Sequence, residues 1–146
     1  MIDFELGVLI DRPIHDVFAF VATPTNLPRW QSGSKEVKQT SPGPVGVGAT
    51  FQNRGEIMGR PLDGQMEITT YEPDTQFGFK GVNGPMTMHA AIHLKSVGTG
   101  TKLTIALHAE PGGFFKLAEG VLVKQIKSQF ETNLDQLKAV LEGGAS

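Results

Sequence analysis

Between residues 35 and 110 apolar and polar side chains alternate with a period of two, and turn-forming residues cut the alternation at 41–48, 58–61, 73–75, 83–85 and 98–100. Short connections between six runs of strand length, 35–41, 49–57, 62–72, 76–82, 86–96 and 101–110, predict a meander of antiparallel strands. Residues 2–10, IDFELGVLI, add a seventh strand with Ile2, Phe4, Leu6 and Val8 on one face. After Pro111-Gly112-Gly113 the period becomes helical, and a helix is predicted from about Phe114 to Leu141, roughly 40 Å long at 1.5 Å per residue. Phe115, Leu122, Ile126, Phe130, Leu134, Leu137 and Leu141 form its apolar stripe. Lys116, Lys124, Lys127, Glu131, Asp135, Lys138 and Glu142 mark its solvated side. So amphipathic a helix must lie on another surface, and the concave side of the sheet is the one at hand. Gly143-Gly144 ends it, as glycine does at helix C-termini.

Between the first strand and the meander, Ile14, Val17, Phe18 and Val21 recur at helical spacing behind Pro13, where a missing N–H costs nothing. Pro24 restricts the residue before it and stops that helix by Thr23. A second short turn of helix is expected over 25–30, carrying Trp30, the single tryptophan. An indole in so polar a connection is either a plug tucked under the loop or the wall of a pocket.

At 146 residues the chain suits one domain, which buries about 70% of the surface its unfolded form exposes. Eighteen glycines against an average of about 7% imply many turns or bent strands. A net charge of −2 with scattered basic residues offers no positive stripe for phosphates, so nucleic acid is not an expected partner. No apolar run approaches the ~18 residues of a membrane span. The opening MIDFELGVLID carries acids where a secretory signal carries positive charge, and a cytoplasmic protein is the expectation. The absence of cysteine excludes disulfides, thiol catalysis and cysteine–zinc sites.

Alternation sorts the side chains of the sheet. Phe51, Asn53, Ile57, Met66, Ile68, Phe77, Phe79, Met86, Met88, Ala90, Ile92, Leu94, Leu103, Ile105 and Leu107 are expected to face the long helix. Gln52, Arg54, Glu56, Gln65, Glu67, Thr87, His89, His93, Lys102, Thr104 and His108 are expected to face solvent. An inner face so rich in Met and Phe reads either as filled core or as the lining of an apolar pocket with a few placed polar groups. Asn53 is its one clearly polar member and the candidate orienting group. On the pocket reading the ligand-binding residues are Trp30, Phe51, Asn53, Met66, Ile68, Phe77, Phe79, Met86, Met88, Leu107, Leu122, Ile126 and Phe130.

Acid–base chemistry needs a titratable group inside the pocket. Arg54, Glu56 and Glu67 fall on the outer side with Asp63 nearby, and Tyr71 sits on the outer parity at a strand end. A bulge at Gly55 or Gly59 would invert the faces that follow. No catalytic residue is assigned. His89 and His93 share a face, but four strand residues separate their Cα atoms by about 13 Å, too far for one zinc. His108 is expected beside His93, and His15 in the first helical turn, exposed. No metal site and no cofactor are expected. SPGPVGVGAT lacks the Gly-Lys-Ser/Thr ending of a phosphate loop and leads into a strand. Phe114 and Phe115 fit core, a pocket lip or a dimer contact, so a homodimer stays open.

The segments RPIHDVFAFVATPTNLPRWQSG and GVGATFQNRGEIMGRPLDGQMEITTYEPDTQFGFK, with the final helix, resemble the polyketide cyclase/dehydrase branch of the START-like (SRPBCC, helix-grip) superfamily over almost the whole chain. The resemblance implies an α+β helix-grip fold: a seven-stranded curved antiparallel sheet, two short helices and a long C-terminal helix across the concave face, as one domain spanning residues 1–146. It implies an internal cavity for a small hydrophobic or aromatic, polyketide-like molecule, with cyclisation or dehydration of that molecule as the reaction. Catalysis would then come mostly from shaping the substrate so that reacting carbons meet, with Asn53 and a pocket-edge acid as the assisting groups. The alternatives are a non-catalytic carrier of lipid or quinone, and a protein-interaction module resembling chaperone activators.

Overall fold

The computed structural model describes residues 2–31, 34–57, 60–83, 86–110 and 119–143. Strand β1 (Ile2–Ile10) is followed by helix α1 (Ile14–Val21), a 3-10 turn (Pro24–Asn26) and helix α2 (Leu27–Trp30). Then come β2 (Ser34–Gln39), β3 (Thr50–Ile57), β4 (Arg60–Glu72), β5 (Gln76–Asn83), β6 (Met86–Val97), β7 (Gly100–Glu110) and α3 (Glu119–Glu142). The seven strands form one antiparallel sheet in the order β1-β7-β6-β5-β4-β3-β2, so β1 closes back beside β7 and the other pairs are sequential. The α+β helix-grip architecture expected from the sequence is the one observed. Strand ends agree within about two residues, the usual scatter of such boundaries. Phe114, Phe115 and Lys116, with the expected start of the last helix, lie outside the described residues.

Turn chemistry explains the hairpins. Gly98 and Thr99 join β6 to β7, and Gly98 takes φ +61° at the first turn position while Thr99 does not turn positive, the pattern of a type II′ turn. Asp74 bridges β4 and β5 at φ +64°, a conformation that Asp tolerates better than most residues.

One face of the sheet carries the core. Ile68, Leu103 and Ile105 are fully buried there, and Val17, Phe18 and Val21 of α1 close over one end. Ile126, Phe130, Leu134, Leu137 and Leu141 bring the buried stripe of α3 onto it. The opposite stripe is exposed as expected at Lys124, Lys127, Glu131, Asp135 and Glu142, with Lys138 half-buried. Lys138 donates to the Leu9 carbonyl at 2.7 Å and contacts Glu142 at 2.6 Å, while Glu142 accepts from the Asp11 backbone N–H at 2.8 Å. These bonds fasten the end of α3 to the end of β1. The Lys138 ammonium first, and the Asp11 N–H second, hold the Glu142 carboxyl below its ordinary value.

Among the described residues, register shifts occur at Ser34/Glu36 in β2 and Ile68/Thr70 in β4, rather than at Gly55. The second overturns the expected place of Tyr71. One extra residue at Thr69 flips the parity that follows, so Tyr71 pairs with Phe77 and its half-buried ring joins the core side, 5.4 Å from Phe18 and 6.2 Å from Phe77. The expected neighbourhood of His93 and His108 is also overturned: His108 stands opposite His89, and His93 opposite Thr104.

Candidate functional site

The inner face is filled unevenly. Along β6, Ala90, Ile92 and Leu94 are buried, yet Met88, on the same face of the same interior strand, is half-buried. Along β3, Phe51 is 1% exposed and Asn53, two residues on, is half-buried. Small residues flank the open positions, with Gly64 opposite Asn53 and Gly81 and Ala109 on either side of Met88. The closed rows carry Phe77, Ile92 and Ile105 side by side, and α1 covers that end with Phe18 against Tyr71.

Each residue singled out in the sequence has a definite place. Phe51, Met66, Ile68, Phe77, Phe79 and Leu107 are buried on the sheet, and Ile126 and Phe130 are buried on α3. Asn53 and Met88 share the inner face with them and keep accessible surface. The side chains of Met86 and Leu122 lie outside the described residues. Arg54, Glu56, Asp63 and Glu67 are exposed. Phe4 of β1 meets Phe130 edge-on at 5.9 Å and closes the flank below α3.

Trp30 is 2% exposed on α2, which packs between β2 and α3. Its Nε1 and the Nε2 of Gln31 are buried donors with no hydrogen-bond partner among the described residues. A buried donor left unmade costs about 1–3 kcal/mol, so two in succession are unusual. From the same corner the Gln31 carbonyl accepts the Ser34 N–H at 3.1 Å, and Ser34 Oγ donates to Asn53 Oδ1 at 2.9 Å. The chain thus links Trp30 through Ser34 to Asn53. Ser34, buried at 6%, is a site residue that alternation could not reveal, because it lies at the β2 register shift.

The outer face carries a second feature. Gly78, Ala91 and Ala106 stand in one row across β5, β6 and β7, with no side chain larger than a methyl group. They floor a trough of about 280 Å³ whose lining includes Thr69, Thr70, His89, His108 and Asp3. The β4 bulge presses on this row: a Cβ on Gly78 would sit 3.3 Å from Thr69 Oγ1 and Thr70 Cβ. Among the described residues, no three His, Asp or Glu side chains are gathered so as to hold a metal ion. None of the described helices is long and apolar enough to cross a membrane.

The family model described as "Polyketide cyclase / dehydrase and lipid transport" matches residues 1–142. No protein of curated function matches the chain in sequence. Among solved structures, it is similar to a START superfamily protein from Mycobacterium smegmatis at TM-score 0.81 and 14% identity, covering 97% of each chain. TTHA0849 from Thermus thermophilus superposes at TM-score 0.80 and 15% identity, covering 99% of each. The di-domain ARO/CYC BexL of the BE-7585A biosynthetic pathway superposes at 0.71 and 18% identity, over 97% of this chain and 48% of that one. At these identities the three structures establish a shared START-like fold.

Proposed function

The chain belongs to the polyketide cyclase/dehydrase and lipid transport family, and from that membership we propose that it binds a small, largely apolar molecule on the inner face, at the end marked by Asn53 and Met88. The observation that carries this reading is the uneven filling of β6, where Met88 keeps accessible surface while Ala90, Ile92 and Leu94 do not. A ligand there meets thioether, aromatic and small side chains, with Asn53 as the polar group that orients it. A carbonyl or hydroxyl oxygen on that ligand would also supply the acceptor that the Trp30 indole lacks among the described residues. In this reading Phe51, Ile68 and Leu107, at 1% exposure or less, back the wall rather than touch the ligand.

Cyclisation of a polyketide-like substrate would come mostly from confinement, which brings the reacting carbons together, while the protons of enolisation and of the loss of water that follows are exchanged with solvent water. Arg54, Glu56 and Glu67 face outward and serve no acid–base role there, and the Tyr71 ring lies at the closed end of the inner face, against Phe18. Carriage of the same molecule uses the same wall, and turnover separates the two.

The test is a melting-temperature and calorimetric titration with 2-naphthol, menadione and decanoic acid. A ligand at a hundred times its Kd adds about 2.7 kcal/mol to the folded state. For a chain of this size that raises the melting temperature by about 5–10 °C. Asn53→Leu should weaken the oxygen-bearing probes while preserving the fold. Flat titrations with all three, alongside a protein partner retained on purification, would move the reading to the interaction module.

A further inference from the structure

Along β6 the exposed histidines are too far apart to share a ligand, but the register brings a different pair together. His108 of β7 stands opposite His89 of β6, and Asp3 of β1 stands opposite His108, so the three form one row across the outer face. The two imidazole rings lie with centroids 6.3 Å apart. Asp3 Oδ2 is 3.5 Å from His108 Nδ1. All three side chains line the outer trough, whose floor of Gly78, Ala91 and Ala106 leaves room above it for an ion and its waters.

We propose that His89 and His108 form a binding site for a late first-row divalent cation, Zn²⁺, Ni²⁺ or Cu²⁺, with Asp3 orienting His108 and water completing the coordination. Neutral imidazole nitrogen is the ligand these ions favour, and oxygen-preferring Mg²⁺ and Ca²⁺ are poor competitors for it. Metal-bound histidines commonly offer their second ring nitrogen to a carboxylate, which fixes the tautomer. Asp3 is placed to do this at Nδ1 of His108. With metal–nitrogen bonds of about 2.0–2.1 Å, the rings need to approach by only about 1 Å, within reach of side-chain rotation at these solvent-facing positions. A neighbouring cation opposes the site: Lys80 stands opposite His89 on β5 and adds positive charge, with Glu67 opposite Lys80 in turn. The site is independent of the inner-face reading, because it lies on the other side of the sheet.

Calorimetric titration of the untagged chain with ZnCl₂ near neutral pH tests the proposal. One saturable site is expected, weakened about tenfold or more in His89→Ala and in His108→Ala, and weakened in Asp3→Asn. His93→Ala, on the same face but opposite Thr104 and Gln76, should bind as the parent does. Lys80→Ala should bind more tightly. Melting curves of the metal-free variants confirm that each is folded. Absence of a saturable site at millimolar Zn²⁺, or a site that survives both His89→Ala and His108→Ala, would overturn it.

Discussion

Truncating two side chains of one strand measures how solid the inner face is. Ile92 and Met88 both point inward from β6, but Ile92 is 1% exposed between Phe77 and Ile105, whereas Met88 is half-buried between Gly81 and Ala109. Ile92→Ala removes buried methyl groups from a closed row and leaves a cavity, at a cost of about 3–5 kcal/mol. That lowers the melting temperature by about 6–20 °C. Met88→Ala removes a side chain that already borders open space, so only part of its transfer free energy is lost and little new cavity is made, roughly 1 kcal/mol in all. Equilibrium urea unfolding, followed by the emission of Trp30, reads both values in one assay. Equal losses from the two substitutions would refute the reasoning, because they would mean that the inner face is packed as tightly at Met88 as at Ile92.

Other expectations follow from contacts elsewhere in the fold. A Cβ on Gly7 would meet its nearest atom at 3.5 Å, ordinary contact, so Gly7→Ala should stabilise by about 0.5–1 kcal/mol through the unfolded chain. A Cβ on Gly100 would lie 2.8 Å from the Ile10 carbonyl oxygen, so Gly100→Ala should destabilise by about 1–3 kcal/mol, and opposite signs in urea unfolding are the check. Because the folded Glu142 pKa is lowered, its contribution is present above the ordinary glutamate value and is lost as pH falls through the depressed one. In Glu142→Gln the acid side of the melting-temperature profile should therefore be flatter than in the parent. Ser34→Ala deprives Asn53 Oδ1 of its donor and should cost about 1 kcal/mol in urea unfolding.

The sequence made the sheet legible because each strand alternates cleanly and each turn carries its own chemistry, as at Gly98. It made Asn53 legible for the same reason: a polar residue on an apolar parity stands out. Tyr71 was misplaced because a bulge inserts one residue without any composition signal, and Thr69 looks like any other strand threonine. The His89–His108 pair was hidden for a related reason. Register depends on where each hairpin closes, and the Val97–Gly100 closure sets the histidine partners several residues away. The Ser34–Asn53 bond joins two strands across another register shift, beyond what period alone can read. Lys138 and Glu142 are read from the sequence as solvated helix residues, and their bonds to Leu9 and Asp11 come to light only once the end of β1 is brought beside them.

Trp30 gives the most direct test of ligand binding at the inner face, since its indole N–H is the only one in the chain and it precedes Gln31, whose carbonyl accepts the N–H of the Ser34 that bonds Asn53. The measurement is the ¹⁵N–¹H spectrum during titration with 2-naphthol and menadione. A saturable downfield shift of the indole resonance, together with shifts of the Asn53 and Met88 amides, is the expected result. An indole resonance and β3 and β6 amides that stay fixed at saturating probe would contradict the proposal that this face receives a ligand.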